Sequence, residues 1–216
     1  MYTSLRENLT TLRAWRRERF AHALFVPVAM TLVVASLVGA EWPSLSGLAL
    51  RAAGAWMTVL ALRFWDDLED RQRDAQSHPE RVLTQIVNVR PYIMIVEVLL
   101  LIAGLLILLA GGVAWVWLVM VGALMVFYRL KGQTRTGGDF VVLLKYPLLV
   151  LALGGSFLPI SLAASVLVLA AVCMDEVLQR RKPRRKLIRG GLLIITLVTL
   201  LLCNSSKLAE LIHALN

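Results

Sequence analysis

Four aspartates lie close together in one short polar segment of the sequence. The segment contains Asp66, Asp67, Asp70 and Asp74, and with Glu69 it holds five of the 14 acidic residues within nine positions. On a helix, Asp67, Asp70 and Asp74 are spaced i, i+3 and i+7 and fall within an arc of about 60°. Carboxylates stacked in this way repel one another, and a divalent cation removes the repulsion. The spacing therefore indicates a site for Mg²⁺, which binds one or two protein carboxylates and completes its octahedron with water and phosphate oxygens. The alternative is a solvated turn whose acids pair with Arg71 and Arg73.

The segments around these aspartates are mostly apolar. The chain of 216 residues is 58% hydrophobic and 17% charged, whereas soluble domains are about 45–50% apolar and about 25% charged. A membrane-spanning helix needs about 20 mostly apolar residues, and stretches near that length recur along the sequence. The pattern predicts an all-α fold, a polytopic membrane helix bundle forming a single domain over residues 1–216. The seven predicted spans are about 20–40, 48–65, 91–111, 113–130, 139–157, 160–178 and 187–203.

The basic residues are distributed unequally between the two ends of these spans. Of the 23 Lys and Arg residues, 20 lie in the N-terminal tail (1–19) or around the loops after the second, fourth and sixth spans. The opposite side has Arg51 and Lys207, and Lys145 lies within a span. The positive-inside rule then predicts a cytoplasmic N-terminus in a cell membrane such as a bacterial inner membrane, with the aspartates on the cytoplasmic side. Topology and contact with anionic lipid explain the net charge of +9, so it gives no support for nucleic-acid binding.

The acidic segment resembles a known family motif. The spacing Asp66-Asp67-x-x-Asp70-x-x-x-Asp74 resembles the first aspartate-rich motif of the UbiA superfamily of intramembrane prenyltransferases, usually N-D-x-x-D-x-x-x-D. Asp66 stands where the family usually has Asn. The stretch HPERVL at 78–83 is similar to the family's R-P-L stretch, with Arg81 on the arginine.

This resemblance implies a ring of helices around a central cavity and an Mg²⁺-dependent transfer of an isoprenyl group from a prenyl diphosphate to an acceptor. Asp67, Asp70 and Asp74 are the implied catalytic residues, which hold Mg²⁺ with help from Asp66, and Arg81 is implied to bind the diphosphate. The family has nine helices whereas seven spans fit in this sequence, so a second copy or a partner subunit is predicted to complete the ring.

Two further cytoplasmic segments resemble the family less closely. Tyr128, Arg129 and Lys131 follow the fourth span, where the family has a tyrosine and a basic stretch, and the resemblance implies that they bind the diphosphate. After the sixth span, Asp175 aligns with the first residue of the family's second motif, D-x-x-x-D, and is implied to be a further Mg²⁺ ligand. Gln179 falls where the second aspartate is expected.

Several other functions are compatible with parts of the pattern. Soluble polyprenyl synthases share D-D-x-x-D but are not built from membrane spans, and CDP-alcohol phosphotransferases need a Gly where Arg71 stands. A family member that binds isoprenoid, or supports a partner enzyme, without catalysing transfer is a second hypothesis. A cation-coupled transporter is a third, supported by the intramembrane residues Glu97 and Lys145, which could also pair with each other.

Overall fold

The chain is helical in the parts that the structure describes. A computed structural model describes residues 5–20, 22–130, 142–154 and 158–181, with the single positions 196, 200 and 204. No strand occurs among these residues, so the prediction of an all-α chain is confirmed for them. The helices with described bounds are α1 (Leu5–Arg19), α2 (His22–Leu37), α3 (Leu45–Glu69), α4 (Arg71–Ser77), a 3₁₀ helix (Val82–Gln85), α5 (Arg90–Leu109), α6 (Ala114–Leu130), α7 (Lys145–Gly154) and α8 (Pro159–Arg181).

Two of these helices, α3 and α5, are long and apolar enough to cross a membrane. Shorter apolar helices occupy Phe25–Leu37, Ala114–Leu130, Lys145–Gly154 and Pro159–Met174. Each of the first six predicted spans therefore coincides with a described helix, whereas the seventh, 187–203, lies almost entirely outside the described residues. Residues 5–19, expected only as a polar tail, form α1.

Local sequence signals explain where the helices begin and end. The Ser44 hydroxyl caps the start of α3 by accepting a hydrogen bond from the Gly47 amide at 3.2 Å. At the end of α5, Gly111 has a φ of +75°, and the amides of Gly111 and Gly112 donate to the carbonyls of Leu108 and Ile107. This is a Schellman motif, which needs a residue without a Cβ in the left-handed conformation. The two glycines therefore form the tight turn between α5 and α6.

The core lies between α3 and α5 and continues into α7. Small residues allow the close approach of α3 and α5: Ala55 and Ala103 are fully buried, beside Ile107. The α7 helix packs against α2, α6 and α8. The outward faces of α5 and α6 are also apolar, with Leu101 72% and Leu118 62% exposed. Large exposed apolar faces are rare on soluble monomers, and they match the surface that a lipid bilayer covers.

The contact between α2 and α7 gives a first testable prediction. A Cβ on Gly154 would lie 2.5 Å from the carbonyl oxygen of Ser36, so replacing Gly154 with Ala must push the two helix backbones apart. We expect Gly154→Ala to lower the free energy of unfolding by about 1–3 kcal/mol. Gly122→Ala in α6 is the matched control, since a Cβ there meets nothing within 4 Å. Denaturant unfolding in detergent measures both, and equal stability of the two variants would contradict the packing.

Candidate functional site

The four aspartates lie at the end of α3 and on the short helix α4 that follows it. Helical hydrogen bonding continues through the junction, because the Asp70 amide donates to the Asp66 carbonyl at 2.9 Å and the Asp74 amide to the Asp70 carbonyl at 2.8 Å. The carboxylates nevertheless contact different parts of the molecule. Asp66 contacts α6 and α7, whereas Asp67 contacts α1 and Asp74 contacts Arg81, just before the 3₁₀ helix.

Asp67 is the most completely enclosed of the four. Its side chain is 5% exposed, and it accepts a hydrogen bond from the indole of Trp15 at 2.9 Å. Arg19 and Arg63 each place a guanidinium nitrogen 2.8 Å from its Oδ1. Two positive charges and an indole donor therefore satisfy this carboxylate, which fastens α1 to α3.

The charge of Asp67 also acts on its partner Arg19. Burial alone lowers the pKa of the Arg19 guanidinium. The hydrogen bond and the charge of Asp67, with smaller contributions from Asp74 and Glu18, outweigh that effect and raise the pKa above its ordinary value. Arg19 therefore keeps its positive charge beside Asp67.

Asp66 is held from the other side of α3. The Tyr128 hydroxyl donates to its Oδ1 and the Lys145 ammonium to its Oδ2. Lys145 is 3% exposed. The centroid of the Trp65 ring lies 5.2 Å from the centroid of the Tyr128 ring. Asp66 thus connects three helices that are distant in the sequence. Lys145 pairs with Asp66 rather than with Glu97, which is exposed on α5.

Asp70 and Asp74 contact cationic side chains of α4 and of the loop that follows it. Arg73 lies 4.0 Å from Asp70, whose side chain is 42% exposed. A guanidinium nitrogen of Arg81 lies 2.5 Å from a carboxylate oxygen of Asp74, so the structure brings these two predicted site residues together. Arg71 donates to the carbonyl of Ile86 at 2.7 Å, which folds the 78–89 loop back towards α4. Asp70 therefore contacts Arg73 as the solvated-turn alternative predicts, whereas Arg71 does not pair with the aspartates of this segment.

An open cleft separates α1 from α4 and the 3₁₀ helix. Its empty volume, part of which is open solvent, is about 220 Å³. Three arginines and three carboxylates line it, so both signs of charge are present. The lining residues are Trp15, Glu18, Arg19, Asp67, Arg71, Asp74, Arg81, Leu83 and Thr84.

The aspartates of this segment fit Mg²⁺ as pairs of carboxylate ligands. The described residues contain no group of three His, Cys, Asp or Glu side chains arranged to hold a metal ion. Mg²⁺ needs only one or two carboxylates when water and phosphate oxygens supply the rest. Asp70 is one helical turn from both Asp66 and Asp74, and side chains four apart on a helix are neighbours. Either pair has suitable chemistry, whereas convergence of all the predicted ligands is not seen.

The remaining predicted site residues differ in how they are connected to this cluster. Tyr128 contacts Asp66, and Arg129, at the end of α6, is exposed. Lys131 and the side chain of Asp175 lie outside the described residues, so their predicted roles stay predictions.

Four contributing residues were absent from the predicted site: Trp15, Arg19 and Arg63, which contact Asp67, and Lys145, which contacts Asp66. Trp15 and Arg19 are 52 and 48 residues away from Asp67 in the sequence, and no local spacing links them. Lys145 had one usable signal, a cation inside an apolar segment, which implies a buried partner, but it is 79 residues from Asp66.

The chain was compared with protein-family models, curated proteins and solved structures, and none of them matched.

Proposed function

We propose that this chain is an integral membrane prenyltransferase that uses Mg²⁺ and a prenyl diphosphate at the cytoplasmic end of α3. One observation carries the proposal. Four carboxylates are gathered at one helix end together with Arg81 and Tyr128, two of the residues expected to bind diphosphate. A diphosphate site needs both kinds of group, since carboxylates hold the metal and cationic or hydroxyl groups donate hydrogen bonds to phosphate oxygens.

The membrane part of the proposal is supported by surface and charge. Two of the described helices, α3 and α5, are long and apolar enough to span a bilayer, and α5 and α6 carry exposed apolar faces. We propose seven spans with the N-terminus in the cytoplasm, because the positive residues concentrate on one side. The exposed apolar faces can also contact a second copy or a partner subunit, whose binding would complete an enclosed cavity.

The proposed reaction breaks one bond and forms one. The allylic C–O bond of the donor breaks and its electron pair leaves with the diphosphate, while a new bond forms between the isoprenyl carbon and an acceptor that loses a proton. Bound Mg²⁺ would neutralise the charge that develops on the leaving group. Asp70, with Asp66 or Asp74, would hold the metal, and Asp175 is proposed as a further ligand. Arg81, Tyr128, Arg129 and Lys131 would donate to the diphosphate, and the apolar helices would keep water from the reacting carbon.

Asp67 takes a different part in this proposal. Its carboxylate is already satisfied by Trp15, Arg19 and Arg63. Binding a metal there would require two arginines to leave. We therefore propose that Asp67 holds α1 against the site, and that its metal-binding role is secondary to that of Asp70.

The test is a direct assay of diphosphate release. Purified protein in lipid nanodiscs is incubated with radiolabelled allylic prenyl diphosphates of several chain lengths, with Mg²⁺ or with EDTA, and with membrane extract as the source of acceptor. We expect release that requires both Mg²⁺ and the extract. No release at any chain length would overturn the transferase proposal.

A non-catalytic isoprenoid-binding protein is the second candidate, favoured by the ion pairs of Asp66, Asp67 and Asp74. Carboxylates already neutralised within the chain have less tendency to bind a metal. This candidate predicts that prenyl diphosphate binds without release of diphosphate, and that EDTA has little effect on binding.

A further inference from the structure

We propose that Lys145 is a diphosphate-binding residue whose ammonium is held by Asp66 until the anion arrives. This inference rests on the proposed function and assigns a role there to a residue outside the motif segments. It starts from the cost of placing a lysine in an apolar helix: a buried charge needs a partner, and Lys145 is 3% exposed.

Lys145 has unused hydrogen-bonding capacity. An ammonium group has three N–H donors, and the Asp66 carboxylate is its one hydrogen-bond acceptor among the described residues. The Tyr146 ring, whose centroid lies 5.6 Å from Nζ, adds only a weak cation–π contact. Two buried N–H donors therefore remain for a ligand.

Lys145 contacts one of the carboxylates of the proposed site, that of Asp66. Asp66 is one helical turn from Asp70, so their side chains are neighbours on α3 and α4. An anion that binds beside Asp66 is therefore next to the Lys145 ammonium, which contacts the same carboxylate. The surroundings of Lys145 are largely dry, and charge attraction is stronger there than in water.

The Asp66 carboxylate positions the Lys145 ammonium. Asp66 accepts from both Tyr128 and Lys145, so it holds the ammonium in place and balances its charge. When a diphosphate binds, its negatively charged oxygens can accept hydrogen bonds from the Lys145 ammonium in place of the Asp66 carboxylate. Asp66 then acts as a positioning residue for Lys145, and Lys145 contacts the substrate.

The experiment compares two variants that both lack the ion pair. Lys145→Met alone would leave the Asp66 carboxylate without its cation and could unfold the chain. Asp66→Asn is therefore the reference, because the Asn amide oxygen can still accept a hydrogen bond from Lys145, and the double variant Asp66→Asn/Lys145→Met is the test. Asp66→Asn/Arg90→Met removes a positive charge from the exposed start of α5 and controls for net charge. Binding of inorganic diphosphate to each protein in detergent with EDTA is measured by titration calorimetry, and wild type is measured with and without Mg²⁺.

We expect Asp66→Asn to bind inorganic diphosphate at least as tightly as wild type does in EDTA, because Lys145 is released. The Lys145→Met double variant should bind about 10- to 100-fold more weakly than Asp66→Asn, the loss expected for a charge-assisted hydrogen bond. The Arg90→Met control should change affinity by less than threefold. Equal affinities in the Lys145→Met double variant and in Asp66→Asn would overturn the role of Lys145 and leave the proposed function standing. Absence of binding to wild type with or without Mg²⁺ would overturn the proposed function, and this role with it.

Discussion

Replacing Asp67 with Asn is expected to lower the free energy of unfolding by about 3 kcal/mol. The substitution preserves shape but removes the one negative charge that Arg19 and Arg63 share. The Asn amide group also brings N–H donors to a place where Trp15 already donates. The expected loss is at the lower end for a broken buried ion pair, because the two arginine side chains are 24% and 30% exposed and can be partly hydrated.

Denaturant unfolding in detergent, followed by tryptophan fluorescence, measures this loss. Glu69→Gln is the matched control: Glu69 is also acidic and at the end of α3, but it is exposed and accepts a bond from the Trp65 indole that Gln can accept equally well. We expect the control to stay within about 0.5 kcal/mol of wild type. An Asp67→Asn variant as stable as the control would show that Asp67 does not hold α1 in place.

The fastening of α1 can be observed separately from global stability. Limited proteolysis should cut Asp67→Asn within 5–19 under conditions where Glu69→Gln is intact, because α1 loses its contacts with Asp67. Cleavage at the same rate in both variants would mean that the remaining packing of Trp15 is sufficient to hold α1 in place. The centroid of the Trp15 ring lies 4.4 Å from that of the Phe64 ring.

The second large effect is expected on catalysis rather than stability. Asp70→Asn should reduce Mg²⁺-dependent release of diphosphate by about 100- to 1,000-fold, the range for losing one main electrostatic group of a site. Asp70 is 42% exposed and lies 4.0 Å from Arg73. Exposed pairs of this kind contribute about 0–1 kcal/mol, so folding should be almost unaffected.

The assay of diphosphate release, run at saturating Mg²⁺ beside the unfolding measurement, separates the two effects. Glu69→Gln serves again as the control, since it removes a neighbouring carboxylate that the proposal does not use. If Asp70→Asn releases diphosphate as fast as Glu69→Gln does, Asp70 is not a metal ligand. An activity loss matched by unfolding would show instead that Asp70 is needed for the fold.

The helices were largely predictable because their signals are local. Apolar composition over about 20 residues identified α3 and α5, and the Gly111-Gly112 pair is a local signal of the kind that ends a helix such as α5. These features depend on the conformational preferences of each residue and its near neighbours. The helical character of 5–19 was not anticipated, because α1 is short and polar; its contacts with Asp67 and with the 3₁₀ helix contribute to its position.

The acidic groups at the end of α3, and the basic residues on the side predicted to be cytoplasmic, can be recognised from the sequence alone. The partner of each carboxylate, in contrast, depends on tertiary packing. Asp66 and Asp67 are adjacent, so on a helix their side chains point about 100° apart. That angle directs Asp66 towards α6 and α7 and Asp67 towards α1. The identity of the helix that each carboxylate contacts depends on packing between segments 48 to 79 residues apart. Neither the spacing of residues nor their composition specifies such packing.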